Sequence, residues 1–223
     1  MSFDNLGLNK SLLDILEKEN FKAPYPIQEK AIPEIIRGKD VLGIAQTGSG
    51  KTASYVLPII SSTAITKGPK TRKIDVLVLV PTRELAQQVK EVFTVFEKGS
   101  LYPIKTIAVY GGVSINPQMK SLYGVSILVA TPGRLLDLAD SNAVHFNNVS
   151  TLVLDEADKL LNLGFKDEMN RIFSLLPAKR QNLLFSATLN EKVEEINQIL
   201  LKNPSVINTK TKENNLDKIT QLS

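Results

Sequence analysis

The stretch Ala45-Gln46-Thr47-Gly48-Ser49-Gly50-Lys51-Thr52 has the residue types and spacing of a phosphate cradle. Gly48 and Gly50 let a loop wrap closely with its backbone N–H groups turned inward, and a helix N-terminus beyond it favours an anion. Lys51 is long enough to reach the β- and γ-phosphates of a nucleotide, and the Thr52 hydroxyl is placed to ligate Mg2+. Ala45 stands where the usual pattern has its first glycine. Read blandly, the stretch is a Gly/Ser-rich turn, but it follows an apolar run and opens a helical one, which is the context phosphate binding needs. A second candidate is Asp155-Glu156-Ala157-Asp158, delivered by the apolar run Thr151–Leu154. Asp155 would hold Mg2+ partly through water, since that cation keeps much of its hydration shell. Glu156 would orient and deprotonate an attacking water. Carboxylates so closely spaced also suit the first turn of a helix, a reading that applies best to Asp158. Lys51, Asp155 and Glu156 are thus the candidate catalytic residues, and Thr52 and Asp155 the candidate metal ligands.

These residues need a scaffold, and the rest of the chain supplies one. Short apolar runs at Asp40–Ala45, Asp75–Val80, Ile104–Tyr110, Ser126–Ala130, Thr151–Asp155, Asn182–Ser186 and Ser205–Ile207 read as strands. Most are nearly continuous Val, Ile and Leu, as expected of parallel strands covered on both faces. Between them, Asn9–Glu19, Pro26–Arg37, Lys51–Ile65, Thr82–Glu97, Pro132–Ala139, Lys166–Leu176 and Glu191–Leu201 read as helices, with Asn9 as an N-cap and Gly38 as a C-cap. The alternation predicts an α/β fold: one doubly wound, mostly parallel sheet with helices on both faces. Thr209–Ser223 is polar and lysine-bearing and reads as a linker, so the domain is expected over 1–208 and the linker over 209–223.

The bulk composition narrows the chemistry. The 223 residues contain no cysteine and one histidine, His145, which excludes disulfides, thiolate metal sites and a multi-histidine centre. A reducing, cytoplasmic setting fits. The N-terminus lacks a basic region followed by an apolar run, and no apolar stretch approaches bilayer length, so neither a secretory signal nor a membrane partner is expected. The net charge of +4 permits a polyanionic partner without requiring one.

With these motifs in place, the chain resembles the DEAD-box ATP-dependent RNA helicases over nearly its whole length, and specifically their N-terminal RecA-like, P-loop domain. The tetrapeptide at 155–158 is literally Asp-Glu-Ala-Asp. Phe3, Phe21 and Pro24-Tyr25-Pro26-Ile27-Gln28 resemble the adenine-reading Q motif within 1–29. Ala45–Thr52 is similar to motif I, Pro81–Leu85 to motif Ia, Gly111-Gly112 to the glycine doublet, Thr131–Arg134 to motif Ib and Ser186-Ala187-Thr188 to motif III. The insertion-poor spacing is similar to compact bacterial RhlE-type members.

The resemblance implies that Gln28 reads adenine through its amide while Phe21 packs on the ring. Gln46, Thr47, Gly48, Ser49, Gly50, Lys51 and Thr52 would then hold the phosphates of ATP or ADP with Mg2+. It implies an RNA-backbone track through Thr82, Arg83, Gly111, Gly112, Thr131 and Arg134, with sequence-independent binding. Read without the family, Arg83 and Arg134 could be ion-paired surface residues and the glycines a turn. Ser186 and Thr188 would bond Asp158 and couple the two sites; alternatively Ser-Ala-Thr caps a helix, with Asn190 competing for that task. Two positions depart from the family: Asn20 replaces a usual Gly, and Tyr25 a usual Thr, which leaves the role of residue 25 open. The family's second RecA-like domain and its arginine fingers have no counterpart here. The chain is therefore expected to be a monomeric N-terminal domain that binds nucleotide, hydrolyses little and does not unwind. A stand-alone P-loop NTPase without RNA, or a non-enzymatic domain of the same fold, are the competing readings; Gln28 with the Arg83 and Arg134 loops argues against the first, and the intact Lys51, Thr52, Asp155 and Glu156 against the second.

Overall fold

The computed structural model describes residues 2–62 and 74–209. Seven strands form one sheet: β1 Val41–Ile44, β2 Val76–Leu79, β3 Thr106–Val109, β4 Ile127–Ala130, β5 Thr151–Leu154, β6 Gln181–Ser186 and β7 Ser205–Asn208. Their order is β3-β4-β2-β5-β6-β1-β7. Every adjacent pair is parallel, so the sheet is wholly parallel and not merely mostly so.

Nine α-helices cover it among the described residues: α1 Lys10–Lys18, α2 Pro26–Ile36, α3 Lys51–Ser61, α4 Arg83–Phe96, α5 Ile115–Ser121, α6 Pro132–Asp140, α7 Ala157–Asn162, α8 Lys166–Leu175 and α9 Glu191–Leu200. Successive strand side chains point to opposite faces, and the sequence exploits this. Val76, Val78 and Val153 enter one core with α1 to α4, while Leu77, Leu79, Leu152 and Leu154 enter the other with α6 to α9. Burial on both faces explains the unbroken apolar runs.

Each expected strand and helix is present, with ends shifted by a residue or two. The expected helix over Lys51–Ile65 ends early, at Ser61, with its C-cap Ser62 extended at φ −79°, ψ 152°; residues 63–65 and the expected linker lie outside the described residues except for Thr209, whose N–H donates to the Ile44 carbonyl at 3.0 Å. Helices α5 and α7 are additional. Helix α5 contains Pro117 and buries no residue, so it has no apolar stripe to announce it. Helix α7 is six residues long and begins directly after the acidic strand end. Asn9 caps α1, accepting from Leu12 N–H at 2.9 Å, and Gly38 follows α2 with φ +78°. No helix among the described residues is long and apolar enough to cross a membrane.

Candidate functional site

All the candidate residues that follow a strand lie at the carboxyl edge of the sheet, where open α/β sheets bind ligands. Strand β1 hands the chain to Ala45–Gly50, and α3 begins at Lys51. Gln46, Thr47 and Gly48 are exposed. Gly50 has φ +85°, and a Cβ there would lie 2.4 Å from Gln28 Nε2 and 2.9 Å from the Tyr25 ring, so only glycine fits the turn. Ser49 Oγ donates to the Gln46 carbonyl at 2.6 Å and Lys51 Nζ to the Ala45 carbonyl at 2.7 Å, which ties the loop into a closed ring. Burial pushes the Lys51 ammonium below its ordinary pKa, against the pull of Asp155, Glu156 and Asp158.

Those acids face the loop across a cavity of about 340 Å³ lined by Thr47, Gly48, Gly50, Lys51, Thr52, Asp155 and Glu156. Asp155 is 2% exposed. It accepts from Tyr55 Oη at 2.7 Å and from Glu156 N–H at 2.9 Å. Burial raises its carboxyl above the ordinary value, with Tyr55 and Lys51 opposing the shift. Glu156 sits at φ +52°, ψ +49°, a left-handed conformation that costs a non-glycine residue energy and that turns its carboxylate into the cavity. Lys159 pairs with it at 2.9 Å. Among the described residues no group of three or more histidines and carboxylates forms a metal cage. One carboxylate and one hydroxyl on a shared wall are a donor set suited to a hard cation that retains water.

The region before α2 adjoins this loop. Gln28 is 1% exposed, and both ends of its amide are in use. Its Oε1 accepts from Tyr25 N–H at 2.9 Å, and its Nε2 donates to the Gly50 carbonyl at 3.1 Å. The structure therefore places Gln28 otherwise than as an outward-facing amide, because the first turn of α2 and the Gly50 carbonyl both need partners. Phe21 packs edge-on against Phe3 and Phe96, with centroids at 6.4 and 5.6 Å. Its remaining surface lines a hollow shared with Tyr25. Tyr25 makes no side-chain cap to α2; its ring lies beside Gly50 and is 53% exposed.

Strand β6 lies between β1 and β5 and brings Ser186 and Thr188 to Asp158. Thr188 Oγ1 donates to Asp158 Oδ2 at 2.9 Å, and Ser186 Oγ donates to the Thr188 carbonyl at 2.7 Å. Burial alone would raise the Asp158 carboxyl, but the bonds from Thr188, Ser186 and nearby backbone hold it below its ordinary value. Asn190 caps α9, accepting from Val193 N–H at 3.0 Å, so the motif is not needed as a cap.

Strands β2, β4 and β3 carry the remaining candidates along the same edge. Thr82 caps α4 through Leu85 N–H at 3.2 Å, and the exposed Arg83 guanidinium lies 5.0 Å over the Tyr110 ring. Gly111 and Gly112 are exposed with nothing within 4 Å of either Cβ position. Thr131 opens α6 with no side-chain cap bond. Arg134 differs from an outward-reaching side chain. It is 9% exposed, donates to the Val113 carbonyl at 2.8 Å and pairs with Asp137 at 3.3 Å. It is a buried brace under the glycine loop, because the first turn of α6 sets its third residue beneath Val113.

Three contributors have no role assigned from the motifs, although Leu85 closes the Pro81–Leu85 match. Leu85 and Gln88, spaced i and i+3 on α4, line the phosphate cavity, and Tyr55 reaches Asp155 from α3. Tyr55 follows Thr52 by one helical turn, which was the available signal.

Comparison with known proteins fits this geometry. A family model described as "DEAD/DEAH box helicase" matches residues 25–196. An ATP-dependent RNA helicase DeaD from Buchnera aphidicola is 43% identical over 208 residues, covering 93% of this chain and 34% of that protein. A DEAD-box ATP-dependent RNA helicase CshA from Streptococcus pneumoniae is 43% identical over 214 residues, covering 96% of this chain and 40% of that protein. The crystal structure of a DEAD box protein from Methanococcus jannaschii superposes with a TM-score of 0.86 at 34% identity, covering 94% of this chain and 56% of that one. The chain thus spans less than half the length of the curated relatives it matches.

Proposed function

The chain belongs to the DEAD/DEAH box helicase family, and from that premise we propose that it is the ATP-binding domain of an ATP-dependent RNA helicase. The observation that carries the reading is the convergence of Lys51, Asp155 and Glu156 on one cavity, whose wall also includes Leu85 and Gln88 of the helix that begins at Arg83. Backbone N–H groups of Gly48 to Thr52 cradle the phosphates, and Lys51 neutralises charge on the β- and γ-oxygens. Glu156 accepts a proton from water as the water oxygen bonds to the γ-phosphorus and the bond to the β–γ bridging oxygen breaks. Thr52 and Asp155 would hold Mg2+, which supplies charge neutralisation at the phosphates. Adenine would lie at Phe21 and Tyr25, with Gln28 reading its edge once its bond to Gly50 opens.

RNA is the proposed partner of Thr82, Arg83, Gly111, Gly112 and Thr131, through its backbone and without sequence preference. A second RecA-like domain is proposed to complete the site with arginine fingers, which are worth roughly 10³–10⁵ in rate. This chain by itself is then a monomer that binds adenine nucleotide and does not unwind. Its proposed setting is cytoplasmic.

Titration calorimetry with ADP, ATP and GTP tests the reading. Adenine nucleotides bind, GTP binds much more weakly, and Lys51→Ala abolishes both signals. Equal affinity for GTP would contradict adenine selection, and RNA-stimulated turnover by this chain would contradict dependence on a second domain.

A further inference from the structure

Asp155, one of the two residues proposed to hold the cation, is bonded by a buried side chain that has no part in the reading above. Tyr55 lies one turn after Thr52 on α3 and is completely buried. Its ring packs against Phe185 at 5.4 Å and Phe93 at 6.4 Å between centroids, which fixes where its hydroxyl stands. That hydroxyl donates to Asp155 Oδ2 at 2.7 Å.

The proton bookkeeping follows from the groups present. An ionised carboxylate has no proton, so Tyr55 must donate to Asp155. Glu156 N–H and Tyr55 Oη occupy one lone pair on each oxygen of Asp155 and fix the plane of the carboxylate. A ring with aromatic neighbours is a rigid support for that ligand, and such supporting hydrogen bonds govern metal affinity.

We propose that the Tyr55 hydroxyl is a positioning group that aligns Asp155 for a divalent cation, an inference that rests on the nucleotide-binding reading of this site. Tyr55→Phe keeps the packed ring and removes one oxygen. Calorimetry of ADP binding, with and without Mg2+, should give unchanged affinity without the metal and a loss of roughly tenfold or more in Mg2+ affinity of the ADP complex. Phe185→Leu loosens the same packing while leaving the hydroxyl, and should lower the melting temperature with a much smaller loss of Mg2+ affinity than Tyr55→Phe. In wild-type protein labelled at tyrosine Cζ, the Tyr55 resonance should move when Mg2+ is added to the ADP complex, a readout that does not require any variant to fold. An unchanged Mg2+ dependence in Tyr55→Phe, an equal change in Phe185→Leu, or a static Tyr55 resonance would each overturn the proposal while leaving ADP binding by the wild type intact. Absence of ADP binding by the wild type would instead overturn the functional reading and the proposal with it.

Discussion

Replacing Gly50 with alanine adds one carbon at a point where backbone conformation and packing both resist it. The left-handed backbone costs an L-residue about 1–2 kcal/mol, and the new Cβ must also displace the Gln28 amide and the Tyr25 ring. Gly50→Ala is expected to lower stability in urea and to weaken ADP binding more than Gly48→Ala, whose Cβ would meet nothing within 4 Å. Thr188→Val removes the donor that holds Asp158 ionised. The loss should be about 1–3 kcal/mol at neutral pH, as for a hydrogen bond to a buried charged group. A depressed carboxyl contributes stability above its ordinary pKa and loses it as pH falls through the folded value, so the difference between variant and wild type should shrink in acid. Gln28 and Arg134 show where motif reading reaches its limit. Both stand at the positions expected, yet the Gln28 amide and the Arg134 Nε and Nη2 are bonded inside the protein, while Arg134 Nη1 is buried without a partner among the described residues.

Helix ends carry the next set of consequences. Asn190 caps α9 two residues after Thr188, so Asn190→Ala should cost about 0.5–2 kcal/mol through the lost cap. Its equilibrium unfolding curve should shift while Mg2+–ADP affinity stays near wild type, because Thr188 keeps its own bond to Asp158. Helix α2 is pinned to β7 by Glu34, which accepts from Lys39 at 2.8 Å and from Ser205 at 2.5 Å. Those two bonds, with Arg37 beside them, lower the Glu34 carboxyl from 4.5 to about 2. Its contribution is therefore complete above pH 4.5 and lost as the pH falls toward 2. Urea denaturation of Glu34→Gln across that range should show a shallower acid dependence than the wild type, and a slope identical to wild type would contradict the assignment. Seven of the nine helices are legible in the sequence because they carry caps or an apolar stripe. Helices α5 and α7 are too short, or too exposed, to carry either signal.

The sheet joins these parts into one molecule. Leu183 lies in β6 between β5 and β1 and is completely buried, so Leu183→Ala should cost about 2–5 kcal/mol, measurable by urea denaturation. Its neighbours Phe185 and Ser186 support Tyr55 and Thr188, and the same substitution is expected to blunt Mg2+–ADP binding. From the amino-acid sequence alone follow the phosphate loop, the acidic tetrapeptide, all seven strands and the parallel α/β class. These are local: a glycine pattern, a run of β-branched and aliphatic residues, or a cap is written in consecutive positions. The order β3-β4-β2-β5-β6-β1-β7 is not local. It sets β1, β6 and β5 together to make the nucleotide site, and β2, β4 and β3 together to line up Arg83, the glycine doublet and Thr131. It also closes the bond between Tyr55 and Asp155 across a hundred residues of chain. Such contacts come from burying two faces of one sheet at once, and only the folded chain can choose which distant side chains that burial brings into reach.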